Sequence, residues 1–258
     1  VYIYDNVNSI SGSYSQVPFH KIKIDDNTAF YNNSNNSHSF AVSISMLDKI
    51  VAIGVPQEES VFIYKLDDLN NGPNFAIKGC GVNAPNCNNN GNSLWQNAHY
   101  CDSTTCGTQN RYIGGFGRSL SLDNDGGNLR LAVGAPNELC NGVTPGCGAV
   151  FLYDLGTANS LTQPKVIGAI GSDLVGSVHP NQVTFNGFGD GVSLDGGSLV
   201  VKNEVLDDPI YLFDNVYSQL TFNKALSKAD FPNLLANDKL GSTLLLDSAN
   251  DRLFVGYK

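Results

Sequence analysis

Short apolar runs of strand length, separated by Asn, Gly, Asp and Ser, fill this chain from end to end. The clearest stretch is GGFGRSLSLDNDGGNLRLAVGAPNELCNGVTPGCGAVFLYD, residues 115–154. Apolar runs at 120–122, 129–133 and 149–153 predict three strands. The turn Asp123-Asn124-Asp125-Gly126-Gly127 and a longer loop at 136–148 predict antiparallel connections between them. Runs such as Leu131-Ala132-Val133 are apolar throughout, as expected of strands covered on both faces. A lone meander cannot cover both of its faces, so the layout must recur.

It does. FAVSISMLDKIVAIGVPQEESVFIY (40–64) has a strand, an Asp turn, a strand ending Gly-x-Pro, and a strand ending in Tyr. FGDGVSLDGGSLVVKNEVLDDPIYLFD (188–214) repeats it with the corner changed to Lys202-Asn203-Glu204, and LGSTLLLDSANDRLFVGYK (240–258) begins it a fourth time. Residues 75–78, 165–170 and 220–223 are candidate outer strands, and 225–237 is the one stretch suited to a helical turn or two. The starts at Phe40, Phe116, Phe188 and Leu240 lie about 76, 72 and 52 residues apart. Units of that period stack on their neighbours, and radial stacking of four-stranded units makes a propeller.

The last unit stops after its second strand, while Val1-Tyr2-Ile3-Tyr4-Asp5 matches Val150-Phe151-Leu152-Tyr153-Asp154 position by position. The expected fold is therefore all-β, a β-propeller of about four blades over 1–258 whose N-terminal strands complete the last blade. Within one molecule that pairing closes the ring. Between molecules it is strand complementation at an exposed sheet edge and builds a fibre. A fragment of a longer propeller is the third option.

Phe116-Gly117 and Gly134-Ala135-Pro136 spell the signature of the FG-GAP repeat, and the chain resembles the integrin α-chain-like propellers built from it. Phe40-Ala41 with Gly54-Val55-Pro56, Phe188-Gly189 and Leu240-Gly241 match to decreasing degrees. The resemblance implies a propeller, placement outside the cell, and binding rather than catalysis. Asp123-Asn124-Asp125-Gly126 is similar to the calcium loops of some of these repeats, with Asp123 and Asp125 as candidate ligands. A complete loop needs about five spaced oxygen ligands, and a plain Asp/Gly hairpin turn accounts for the same residues.

Composition narrows the rest. Charged residues are 15% of the chain, the net charge is -9, and Asn (31) and Gly (27) are the commonest residues while Glu (4) and Met (1) are scarce. No Lys/Arg cluster could neutralise a run of phosphates, which argues against nucleic acid as a partner. No apolar run approaches the roughly 20 residues of a membrane span. The chain opens at Val1, as a trimmed or mature chain would. The six cysteines fall in close pairs, Cys80/Cys87, Cys101/Cys106 and Cys140/Cys147. They lack CxxC or His ligand spacing, so three local disulfides are expected, in an oxidising compartment. Asn32 and Asn35 begin the two glycosylation sequons. The insertion at about 79–112 carries four of the cysteines and Trp95.

His20, His38, His99 and His179 are scattered and stand beside no nucleophile motif. Glu58-Glu59 reads as a solvated hairpin tip. Gly187-Phe188-Gly189-Asp190-Gly191 precedes no helix, so it is no phosphate cradle. The chain is thus expected to be a non-enzymatic extracellular structural or adhesive module without an obligatory cofactor. Its partner would be a protein or glycan, or further copies of itself in a fibre. The alternative is a carbohydrate-binding or polysaccharide-cleaving propeller, which for cleavage needs two carboxylates facing one cleft.

Overall fold

The computed structural model describes residues 2–3, 20–21, 41–71, 73–79, 114–138, 147–171, 187–204, 209–231, 233, 235 and 240–257. Strands dominate. The first, β1 (Tyr2–Ile3), pairs with β2 (His20–Lys21) in a small ladder. Blade one follows as β3 (Ser43–Leu47), β4 (Ile50–Val55), β5 (Ser60–Lys65) and β6 (Phe75–Lys78). Blade two is β7 (Ser119–Asp125), β8 (Asn128–Ala135), β9 (Ala149–Gly156) and β10 (Leu161–Gly171). Blade three is β11 (Gly191–Asp195), β12 (Ser198–Lys202), β13 (Ile210–Asp214) and β14 (Thr221–Leu226). Blade four has β15 (Leu240–Asp247) and β16 (Arg252–Tyr257). Every sheet is an antiparallel meander in sequence order, and the four blades take a β-propeller arrangement. Among the described residues the only helical pieces are short 3₁₀ turns, including one at Lys228–Asp230, and no helix is long and apolar enough to cross a membrane.

The first strand of each blade is the innermost one, and these strands stack in order: β3 against β7, β7 against β11, β11 against β15. The core therefore lies between blades. Ile50, Ala52, Val61 and Ile63 of blade one meet Leu120, Leu122, Leu129 and Leu131 of blade two. Ala132, Val150 and Leu152 on the other face of blade two meet Val192, Leu194, Leu199 and Val201 of blade three. Val200 and Ile210 on the far face of blade three meet Leu240, Leu244, Leu246, Leu253 and Val255. A strand such as β4, buried at every position, serves both of its faces at once, which is why its sequence does not alternate.

The motif residues have local reasons. Phe116 packs on Phe151 and Tyr153 of its own blade, with ring centroids 5.8 and 6.3 Å apart. Phe188 repeats this on Tyr211 and Phe213 at 5.8 and 6.1 Å. Gly117 has φ +89°, a region that costs other residues energy. Gly134 answers to space instead: an added Cβ would lie 1.9 Å from the Gly189 carbonyl oxygen of the next blade.

β1 pairs with β2, and among the described residues neither belongs to the sheet of β15 and β16. The sequons at Asn32 and Asn35 lie outside the described residues. So do Cys80, Cys87, Cys101, Cys106 and Cys140, and the insertion beyond Gly79. Cys147 is disulfide-bonded.

Candidate functional site

Three junctions hold the blades together, and serine hydroxyls cross each of them. Along an inner strand alternate residues face opposite sides. Ser45 and Ser121 project from their strands toward the following blade, and so does Ser193. The backbone N–H of Leu122 donates to Ser45 Oγ, that of Leu194 to Ser121 Oγ, and that of Leu246 to Ser193 Oγ, each at 2.9 Å. Two residues upstream, Ser43 Oγ donates to the Gly117 carbonyl and Ser119 Oγ to the Gly189 carbonyl, both at 2.7 Å. Inner strands have one edge without a sheet neighbour, and these hydroxyls satisfy backbone groups there. The signal was present as Ser-x-Ser at the same place in the first two units; reading those strands only for apolar content passes over it.

Glu59 is a correction to the sequence reading. It is 4% exposed rather than a solvated tip. The N–H groups of Gly115 and Phe116 donate to Glu59 Oε1 and Oε2 at 2.7 and 3.0 Å, so the carboxylate clamps the start of blade two. Its left-handed backbone, φ +50°, turns the side chain inward. Nothing in the local sequence distinguishes it from Glu58, since its partners lie over fifty residues away.

At the same end of the blades, Asp190 joins two cations. Arg118 Nε donates to its Oδ1 at 3.0 Å, and Lys202 Nζ donates to its Oδ2. Burial pushes the Asp190 carboxyl up, but the hydrogen bonds and charges of Lys202 and Arg118 outweigh it and hold the group below the usual value.

At the opposite end, the hairpin tips of blades two and three enclose an open cleft of about 630 Å³. Asp125, Arg130, Ser198, Asp214, Asn215 and Tyr217 are among its lining residues. The Arg130 side chain is mostly buried. It reaches Asp154 Oδ2 at 2.5 Å and Asp125 Oδ2 at 3.5 Å, with its guanidinium 5.3 Å from the Tyr217 ring centre. Tyr217 OH donates to Asp123 Oδ2. Burial first, then the hydrogen bond and charge of Asp123, push the Tyr217 phenol far above its ordinary range. Ser198 Oγ donates to Asp214 Oδ1 at 2.9 Å.

Of the candidate calcium ligands, Asp125 lines this cleft and pairs with Arg130, while Asp123 accepts from the cleft residue Tyr217. The other Asp123 oxygen accepts the Asn124 N–H at 2.7 Å. The loop is a two-residue hairpin, Gly126-Gly127, between the register partners Asp125 and Asn128, with both glycines at positive φ. Among the described residues no three His, Cys, Asp or Glu side chains stand close enough together to hold a metal ion.

No protein-family model matches this sequence, and comparison with curated proteins finds no match.

Proposed function

We propose that this chain is a non-enzymatic structural or adhesive propeller module that works outside the cell and resembles the FG-GAP repeat proteins. One observation carries the reading. Ionisable groups at both ends of the blades join blade to blade: Glu59 to Gly115, Asp190 to Arg118 and Asp123 to Tyr217, while Lys202 holds Asp190 from within blade three. A protein organised this way is a scaffold whose surfaces and edges do the binding. The disulfide at Cys147 supports an oxidising location. The buried Phe116 and Phe188, each followed by a glycine at positive φ, support the FG-GAP resemblance.

Self-association suits the last blade. Its sheet has two strands among the described residues, and β16 ends it with an edge that another strand can extend. Electron microscopy and sedimentation of the oxidised protein across a concentration range, with calcium and with chelator, test the reading. Regular polymers or a defined assembly support it. A strict monomer at every concentration, binding neither protein nor glycan, removes it.

A second reading rests on the cleft. Asp125 and Asp214 line the same opening with Asn215, Ser198 and Tyr217, a set of polar groups around an aromatic ring that suits a sugar. A glycan array on the parent and on Asn215→Ala separates this from assembly alone. Binding lost in the variant favours the sugar site.

A further inference from the structure

Among the described residues, blades one and four each leave one face exposed, and the two faces are the two halves of a junction made three times. In blade one, Ser43 and Ser45 point to blade two, so Val42, Ile44 and Met46 occupy the opposite face of the inner strand. Ile44 and Met46 correspond to Leu120 and Leu122 in blade two, which the preceding blade covers. Leu120 and Leu122 are 9% and 7% exposed, whereas Ile44 and Met46 are 51% and 63% exposed. In blade four, Leu244, Leu246, Leu253 and Val255 pack toward blade three. The register partners Leu245 and Phe254 take the other face and are 59% and 52% exposed.

The chemistry of the blade-four face favours a partner from outside over closure within the molecule. At the three internal junctions the outgoing face is small where inner strands approach: Ser45 opposite Ala52, Ser121 opposite Ala132, Ser193 opposite Val200. That slimness lets a serine oxygen come within 2.9 Å of the next backbone. Blade four places Leu245 opposite Phe254 there, too bulky for the same approach and without an acceptor for an incoming N–H. Such a face meets its partner through apolar contact at a wider spacing.

We infer that the chain associates head to tail, with Leu245 and Phe254 of blade four in one copy seated on Val42, Ile44 and Met46 of blade one in the next. This deepens, and rests on, the reading of the chain as a self-assembling module. The interface is heterologous, so it propagates into open chains or large rings rather than closing as a symmetric dimer. It lacks charged residues at its centre and is small, so assembly is concentration-dependent.

Analytical ultracentrifugation of residues 1–258 and of Ile44→Asp and Leu245→Asp tests it. Both positions are exposed, so thermal unfolding should match the parent; Leu245→Ser replaces Leu245→Asp if the latter melts early. Each variant alone should weaken association at least tenfold, because it seats a carboxylate in an apolar contact. Mixed in equal amounts, the two variants each keep one intact face and should form a discrete heterodimer that goes no further. The inference falls if the mixture stays monomeric or either variant dimerises alone. It also falls, with the scaffold reading intact, if both variants polymerise like the parent and only deletion of residues 1–5 stops them. A parent that stays monomeric throughout overturns the inference, and the scaffold reading falls with it only if that monomer binds neither protein nor glycan.

Discussion

Lys202 lies directly opposite Gly191 in blade three, where blades one and two set Gly54 opposite Ser43 and Gly134 opposite Ser119. The small residue has changed strands. In the first two blades a glycine on the second strand makes room for a serine on the first. In the third the glycine is on the first strand, and the Lys202 chain passes across it; a Cβ on Gly191 would lie 2.9 Å from Lys202 Cγ and Cε. The lysine end then reaches Asp190. The degraded Gly-x-Pro corner is thus a substitution with its own partner, an ion pair in place of a serine hydroxyl.

That ion pair predicts an acid dependence. The folded-state value of Asp190 is lowered, so its stabilisation is complete above the unfolded carboxylate value near about pH 4 and is lost as pH falls through the folded value. Asp190→Asn should cost about 3 kcal/mol at pH 7, the low end for a broken buried pair, because Lys202 Nζ also reaches the Asn203 carbonyl at 3.3 Å. The deficit should shrink as pH drops below about 4. Urea titrations at pH 7 and pH 3 check it; an equal deficit at both would show that packing, not charge, is at stake.

Gly134→Ala should be among the most damaging single-methyl changes at the described glycines, with Gly54→Ala and Gly148→Ala. The added carbon would sit 1.9 Å from the Gly189 carbonyl and 2.3 Å from Ser119 Oγ, and neither belongs to a flexible chain end. Blades two and three must separate to admit it, so a loss at or above the usual 1–3 kcal/mol of overpacking, about 3 kcal/mol, is expected in the denaturation midpoint. Gly126→Ala, with open space around it, should lose only the cost of its positive φ, about 1 kcal/mol.

The serine crossings predict a graded series. Ser45→Ala, Ser121→Ala and Ser193→Ala each leave one backbone N–H without its acceptor, at about 1–2 kcal/mol apiece. Each serves a different junction, so the triple variant should lose close to the sum. Three neutral substitutions would mean that water takes over the inner edge.

These cases show what the sequence can and cannot carry. The strand-turn-strand rhythm was legible because covered strands are apolar at consecutive positions and the hairpins need Asp and Gly. Phe116 and Phe188 were legible as repeat starts. The roles of Ser45, Glu59 and Lys202 were not, because each acts on a residue of another strand or blade, and the partner is chosen by stacking. Asp123 shows the same limit. Its Asp-x-Asp-Gly context is equally good for a metal loop or a hairpin, and the group that engages it, Tyr217, comes from the next blade.

Tyr217 gives the sharpest test of that cross-blade contact. Its hydroxyl is the donor to the 6% exposed Asp123, so Tyr217→Phe leaves a buried carboxylate with the Asn124 N–H as its remaining protein donor. A hydrogen bond to a charged group is worth about 1.5–3 kcal/mol, and that loss is expected at pH 7. The ring survives in phenylalanine, so stacking of Arg130 on it persists and the loss reports the hydroxyl. The pH dependence has a definite sign. The folded-state phenol is raised, so its stabilisation is fully present below the unfolded tyrosine value near about 10 and declines as pH rises past it. The parent should therefore begin to lose its advantage over Tyr217→Phe as pH rises past about 10, and keep losing it with each further rise. Asp123→Asn tests the other partner: an amide restores a hydrogen-bond acceptor without the charge, so it should cost less than Tyr217→Phe. If added calcium raises the melting temperature of the parent but not of Asp123→Asn, the loop is a metal site after all. An identical response of the two proteins to calcium and to chelator fixes Asp123 as the acceptor that ties blade two to blade three.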